Sequence, residues 1–188
     1  MSGSRIGTII RIACWGTAAA LLVLPAIAMR FTSEVNWTAS DFVFAAVLMG
    51  SVGLIYEGAI RMTRNWSYRG GVGLALAASF LLIWINGAVG IIGSEQDDAN
   101  MLYVGVVAIA IVGSVVARFR SSGMAATMGV SAVCQLLVPI VAGVMGWAAR
   151  DALLRPEVPI ATAVFAGIWL LAAALFRKSA QDTRMQGA

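Results

Sequence analysis

Long runs of apolar residues, separated by short polar segments, dominate this chain. A helix that crosses the hydrocarbon core of a bilayer needs about 20 predominantly apolar residues. Runs of about this length occur six times. The sequence therefore predicts an all-α polytopic membrane bundle of six transmembrane helices, forming a single transmembrane domain over residues 1–188. The predicted spans cover approximately residues 9–29, 41–60, 71–92, 101–117, 124–149 and 160–176.

The charges outside the spans alternate in sign from one loop to the next. Seven of the nine acidic residues fall in the first, third and fifth loops or at their edges, whereas ten of the thirteen basic residues fall in the other loops and at or near the two ends. Short loops rich in Lys and Arg stay in the cytoplasm, so the pattern predicts that both termini are cytoplasmic. The ten basic residues are Arg5, Arg11, Arg61, Arg64, Arg69, Arg118, Arg120, Arg177, Lys178 and Arg184.

The first span also has features of a signal peptide. Arg5 and Arg11 precede an apolar run that ends in Pro25-Ala-Ile-Ala28, which fits an A-x-A cleavage site. Cleavage after Ala28 would leave five spans and an external N-terminus. We expect the span to be retained, because its apolar run is long for a signal peptide.

Composition places the chain in a lipid environment and narrows the chemistry open to it. Hydrophobic residues make up 60% and charged residues 12% of the chain, with a mean hydropathy of +0.88, whereas soluble proteins have about 25% charged residues. The chain has no His, and its two Cys lie in separate spans. The sequence therefore predicts no cofactor, no metal site and no catalytic residues. The net charge of +4 reflects arginines beside the spans, so no nucleic acid is expected.

Gln135 and Pro139 form the most unusual polar feature inside a span. Proline has no N–H, so the carbonyl of the residue four positions earlier loses its regular helical partner, and a helix kink is expected here. Gln135 thus presents an amide side chain and a free carbonyl at mid-membrane depth. Asn86 of the third span is a plausible partner. The pair forms either an interhelical hydrogen bond or part of a site for a polar solute, an ion or water.

Glu57 is the only acidic residue that the pattern places inside a span. Arg61 follows four residues later, a spacing that suits an ion pair on one helix face. Because Glu57 lies near the inner end of its span, an interfacial anchor is the simpler interpretation. The alternative is that Glu57 joins Gln135 and Asn86 in a proton or cation site that opens to the cytoplasm.

Two segments near the predicted outer face resemble a family of small, uncharacterised bacterial multi-pass membrane proteins. The first runs from Phe31 to Phe42 (FTSEVNWTASDF), and the second combines Gly90–Glu95 (GIIGSE) with Ala99 and Asn100. The resemblance extends from about the first span to the fourth. It implies a bacterial cytoplasmic (inner) membrane protein and brings no activity, cofactor or catalytic residue.

Three classes of function remain open. The sequence favours a non-enzymatic accessory or structural subunit, since every polar feature has a structural explanation. Its partners would be membrane lipids and another protein or a second copy, bound through small-residue helix faces such as Gly50 with Gly53 and Gly87 with Gly90. The first alternative is a small-solute or ion transporter or channel built around Gln135, Asn86 and Glu57. A lipid-modifying enzyme is disfavoured because no catalytic constellation is present.

Overall fold

The computed structural model describes residues 2–186, and it confirms the all-α prediction. Within that range there are seven α-helices, one 3₁₀ helix at Asp98–Asn100 and no β-strand. Six helical segments are long and apolar enough to cross a membrane, and one of them joins the 3₁₀ helix to the α-helix that follows it. The chain divides into two compact units, Met1–Glu57 and Gly58–Ala188. The helices are α1 Ser2–Ala28, α2 Ala39–Met62, α3 Trp66–Ala88, α4 Met101–Val116, α5 Ser121–Val144, α6 Arg150–Leu153 and α7 Glu157–Gln186.

The first unit consists of α1 and most of α2. Trp15 of α1 lies against Gly53 of α2 so closely that a Cβ added at Gly53 would be 2.7 Å from the indole ring. The N-terminus of α2 is capped by the side chain of Asp41. Asp41 Oδ2 accepts hydrogen bonds from the Thr38 backbone N–H, at 2.7 Å, and from the Thr38 hydroxyl, at 2.8 Å. This cap satisfies a backbone donor that the helix leaves unpaired.

The second unit is a four-helix bundle in which α3, α7, α5 and α4 follow one another around a ring. The most extensive packing joins α7 to α5 and to α3, and α4 closes the ring against α5 and α3. Fully buried side chains from all four helices fill its interior, among them Leu82, Tyr103, Met128, Trp169 and Phe176. We call the end with loops 89–100 and 145–156 the outer end, and the opposite end the inner end.

Caps and glycines move several helix ends away from the predicted span limits. α3 begins at Trp66, five residues earlier than predicted, because Asn65 Oδ1 caps it by accepting from the Tyr68 N–H at 3.0 Å. α3 and α5 end earlier than predicted because Gly90 (φ 72°) and Gly146 (φ 68°) leave the helical conformation. α7 continues about ten residues past its predicted end, since no helix-breaking residue interrupts it.

The basic loop between α2 and α3 is held by one arginine. Arg69 Nε donates to the Thr63 carbonyl at 2.8 Å, and Nη2 donates to the Ile60 carbonyl at 2.6 Å. Its guanidinium also lies 5.4 Å from the centre of the Trp66 ring. Arg69 thus satisfies carbonyls that the C-terminus of α2 leaves unpaired, in addition to the topological role that its charge predicts.

Asn100 fastens the outer loop between α3 and α4. Its buried side chain accepts from the N–H groups of Ile91 and Ile92 at 3.1 and 3.0 Å, and donates to the carbonyls of Ile92 and Ser94 at 3.0 and 2.6 Å. The loop turns at Gly90, where a Cβ would collide with the Ser94 carbonyl. Hydrogen bonds of Asn100 thus connect the two parts of the second sequence segment, Gly90–Glu95 and Ala99 with Asn100, within one loop.

We predict that Asn100→Ala destabilises the protein by at least about 2 kcal/mol, because it leaves two buried N–H groups without partners. Thermal unfolding of the purified protein in detergent, followed by intrinsic fluorescence, measures the change. Asn36→Ala, at an exposed loop position, is the matched control. Equal stability of the two variants would contradict this account of the loop.

Candidate polar site in the bundle

Gln135 is fully buried in the four-helix bundle, at about the middle of a span. Its relative exposure is 0%, and it lies about 14 Å from the outer end of α5 at 1.5 Å per residue. Neither Oε1 nor Nε2 has a hydrogen-bond partner among the described residues. A buried amide in an apolar environment costs about 1–3 kcal/mol when its hydrogen bonds are not replaced.

Pro139 leaves the backbone carbonyl of Gln135 as a third polar group beside the two polar atoms of its side chain. α5 is helical from Ser121 to Val144, and it continues through Pro139 without interruption. The proline nitrogen cannot donate to the Gln135 carbonyl, which thereby lacks its regular helical donor. The backbone and side chain of Gln135 together contribute two acceptors and one amide donor group at this position.

Asn86 lies close to the outer end of α3 and is 7% exposed. Its Nδ2 donates to the Leu82 carbonyl one turn earlier at 2.7 Å, while Oδ1 has no partner within residues 2–186. The hydrogen bond between Asn86 and Gln135 that the sequence suggested does not form. Both side chains reach the buried part of the bundle, and each leaves polar atoms unpaired there. The positions of Asn86 and Gln135 along their helices do not determine the distance between the two side chains, so the sequence could not show that they form no hydrogen bond.

Four further residues carry buried polar atoms that have no partner among the described residues, and the sequence did not predict a polar site at any of them. They are Tyr103 Oη on α4, Ser131 Oγ on α5, and Thr162 Oγ1 and Trp169 Nε1 on α7. The sequence contains a weak indication of two of these pairs. Ser131 lies one turn from Gln135, and Trp169 lies two turns from Thr162, so the members of each pair share a helix face. The indication is weak because Ser, Thr and Trp are common in membrane helices.

The Tyr103 and Thr162 hydroxyls approach each other between α4 and α7, but they do not reach regular hydrogen-bond geometry. Both residues are at least nine-tenths buried. This pair lies in the outer part of the bundle, about 3 and 8 Å below the starts of α4 and α7.

The unpaired atoms extend from the outer end of the bundle to about mid-membrane. At 1.5 Å per residue they begin about 3 Å below the outer end, at Asn86 and Tyr103, and reach about 20 Å at Ser131. All four helices of the ring contribute, with five oxygen and two nitrogen atoms in total. We call these residues the interior polar set: Asn86, Tyr103, Ser131, Gln135, Thr162 and Trp169.

The interior polar set is uncharged. The buried polar residues of the described chain are all Asn, Gln, Ser or Thr, and no group of three Cys, Asp or Glu residues in that part of the chain could hold a metal ion. Hydroxyls and amides can accept and donate hydrogen bonds but supply no nucleophile with an adjacent base. The arrangement suits a neutral polar molecule or water.

Glu57 belongs to the first unit, and its partner there was not foreseen. Arg11 Nε of α1 lies 3.2 Å from Glu57 Oε1, and the two side chains are 49% and 20% exposed. The ion pair joins α1 to α2 and provides the charge compensation that a carboxylate near a membrane requires. This contact supports the anchoring interpretation of Glu57.

Comparisons with protein-family models, with curated proteins and with solved structures each gave no match to this chain.

We predict that Gln135→Leu leaves the thermal stability unchanged or raises it, because the substitution removes a buried amide that has no protein partner. Ser114→Leu in α4 is the contrasting variant, since the Ser114 hydroxyl donates to the Ala110 carbonyl at 2.6 Å and is buried against packed side chains. It should lower the unfolding temperature by overpacking. A loss of about 2 kcal/mol for Gln135→Leu would show that the amide has a structural partner.

Proposed function

We propose that this protein is a non-enzymatic bacterial inner-membrane protein that binds and conducts a small neutral polar solute, or water, through its four-helix bundle. One observation carries the proposal: the fully buried Gln135 amide has no protein partner at mid-membrane depth. Polar groups inside membrane bundles are expensive and typically line a substrate pathway. The inner-membrane assignment rests on the family resemblance, and the orientation rests on the distribution of arginines.

The accessory-subunit interpretation was favoured because every polar feature has a structural explanation, which for the two amides is an Asn86–Gln135 hydrogen bond. That bond is absent between these two residues, and Gln135 and the Asn86 oxygen have no partner among the described residues. This observation supports a pathway for a polar molecule over a purely structural role. A neutral solute or water supplies such partners without requiring a charged residue in the bundle.

We predict that Gln135→Leu reduces solute permeability to the level of protein-free vesicles, because it removes the side chain that presents both a donor and acceptor groups halfway across the membrane. Stopped-flow light scattering of proteoliposomes measures the permeabilities of water, urea and glycerol. Gln96→Leu, at an exposed position in the outer loop, is the matched control and should retain the permeability of the unchanged protein.

The same vesicles distinguish the proposal from its alternatives. Permeability above the protein-free level, lost in Gln135→Leu and kept in Gln96→Leu, supports conduction through the bundle. Unchanged protein that conducts none of the three solutes, or a Gln135→Leu variant that conducts normally, would rule out the proposed pathway.

An accessory role is the second candidate, and the exposure of α1 favours it. Within the first unit, no residue of the span Arg11–Ala28 is buried. Apart from the contact of Trp15 with Gly53 of α2, the apolar surface of this helix is open to lipid or to another membrane protein. Among its small residues, Gly16 has open space around the position of a Cβ. A bulky side chain there would obstruct a close helix–helix contact with a partner.

We predict, if this second role holds, that Gly16→Leu dissociates the assembly that gentle extraction from the native membrane preserves. Native mass spectrometry of the extract reports its composition. Gly105→Leu in α4 is the control, because Gly105 also has open space around it but lies in the other unit. Gly90→Leu is unsuitable as a test, since it would break the outer loop itself. A chain that stays alone in every extract would eliminate the accessory role.

A further inference from the structure

A cavity of about 460 Å³ opens at the inner end of the bundle. The loop between α4 and α5, the first turn of α5, the start of α3 and the last turns of α7 surround it. Arg120 and Arg184 line it from two different segments, together with Ser121, Ser122 and Thr183. The Thr183 hydroxyl donates to the Ser179 carbonyl at 3.0 Å, so the two guanidinium groups are the principal donors that the cavity offers to an oxyanion.

The walls of this cavity are fixed by contacts between its segments. Tyr68 donates from its hydroxyl to the Phe119 carbonyl at 2.7 Å, which ties α3 to the loop between α4 and α5. Ser179 is 2% exposed, and its hydroxyl lies 3.1 Å from that of Ser121, which ties α7 to α5. The first N–H groups of α5 also lack helical partners, because helix N-termini leave them free.

A groove of about 680 Å³ between α5 and α7 continues from the cavity towards mid-membrane. The two spaces share Ser122, Ala180 and Arg184. From Arg184 to Leu170 the groove follows α7 for about 21 Å at 1.5 Å per residue, somewhat more than the roughly 15 Å hydrocarbon depth of one leaflet. Small residues leave this space open on both helices: Ala125, Ala126 and Gly129 on α5, and Ala173 and Ala174 on α7.

The charges around the two spaces are unbalanced in favour of cations. Arg177 joins Arg120 and Arg184 along the lining. Asp182 is the acidic residue of α7 near these arginines. Its carboxylate accepts a hydrogen bond from the Asn65 amide at 3.2 Å. An anionic group therefore complements the lining, whereas a neutral headgroup would leave it uncompensated.

We propose that this cavity and groove form one binding site for an anionic phospholipid. The phosphate lies among Arg120, Arg184 and the first turn of α5, and one acyl chain fills the groove between α5 and α7. A soluble anion would occupy the cavity and leave the apolar groove unused, so the continuity of the two spaces favours a lipid. The site lies at the opposite end of the bundle from Asn86 and Tyr103, and the inference does not depend on the proposed conduction.

Native mass spectrometry of the full-length protein tests the headgroup part, with phosphatidylglycerol or phosphatidylcholine added to the detergent solution. We expect retention of one phosphatidylglycerol at least tenfold tighter than phosphatidylcholine. The double variant Arg120→Gln/Arg184→Gln should weaken phosphatidylglycerol retention about 30-fold, since each basic residue contributes a factor of about five. Arg64→Gln, an exposed arginine outside the lining, should leave it unchanged. Equal retention of the two lipids, or an equal loss in Arg64→Gln, would overturn the proposal.

Filling the groove tests the acyl-chain part without altering any charge. Ala174→Phe should lower phosphatidylglycerol retention at least tenfold, whereas Ala108→Phe, at an exposed position of α4, should not. Inorganic phosphate at millimolar concentration distinguishes a lipid from a free anion. We expect it to leave the unfolding temperature unchanged in the absence of lipid. Stabilisation by phosphate alone, or full retention in Ala174→Phe, would contradict a lipid site.

Discussion

The structure depends on one constraint: a polar group inside a bilayer must find its hydrogen-bond partner within the protein, in water or in a ligand. At the loops this fold meets the constraint with single side chains. Asn100 fastens the turn after α3, Arg69 covers the end of α2, and Asn65 and Asp41 cap the starts of α3 and α2. These contacts fix where α2 and α3 begin and end, and thereby the positions of their buried faces.

The bundle interior meets the constraint differently. Seven polar atoms of the interior polar set lack partners among the described residues, and they come from all four helices of the ring. An unpaired buried group costs about 1–3 kcal/mol, and the Tyr103 and Thr162 hydroxyls offset part of this cost by facing each other. The proposed function rests on the remaining atoms, because water or a solute that supplied their hydrogen bonds would have to reach mid-membrane depth.

Much of this architecture follows from the sequence, since span length, apolar runs and the Thr38–Asp41 cap depend on local chemistry. Other features depend on tertiary geometry and could not be predicted. The Arg11–Glu57 pair joins residues 46 positions apart, and the Asn86 amide turns back to its own helix at Leu82 rather than to Gln135. Periodicity identifies the buried face of a helix, but it does not give the distances between faces. The single domain and the cytoplasmic termini stay predictions.

The most direct test of the unpaired interior is the environment of the Gln135 side-chain amide in a bilayer. Solid-state NMR of protein labelled with ¹⁵N-glutamine, reconstituted in lipid, resolves this signal from the three other glutamines, and Gln135→Leu assigns it. The account predicts magnetisation transfer between the Gln135 amide protons and water or an added solute. An amide that receives no transfer from either, and whose nearest acceptor is a carbonyl of the protein, would contradict it.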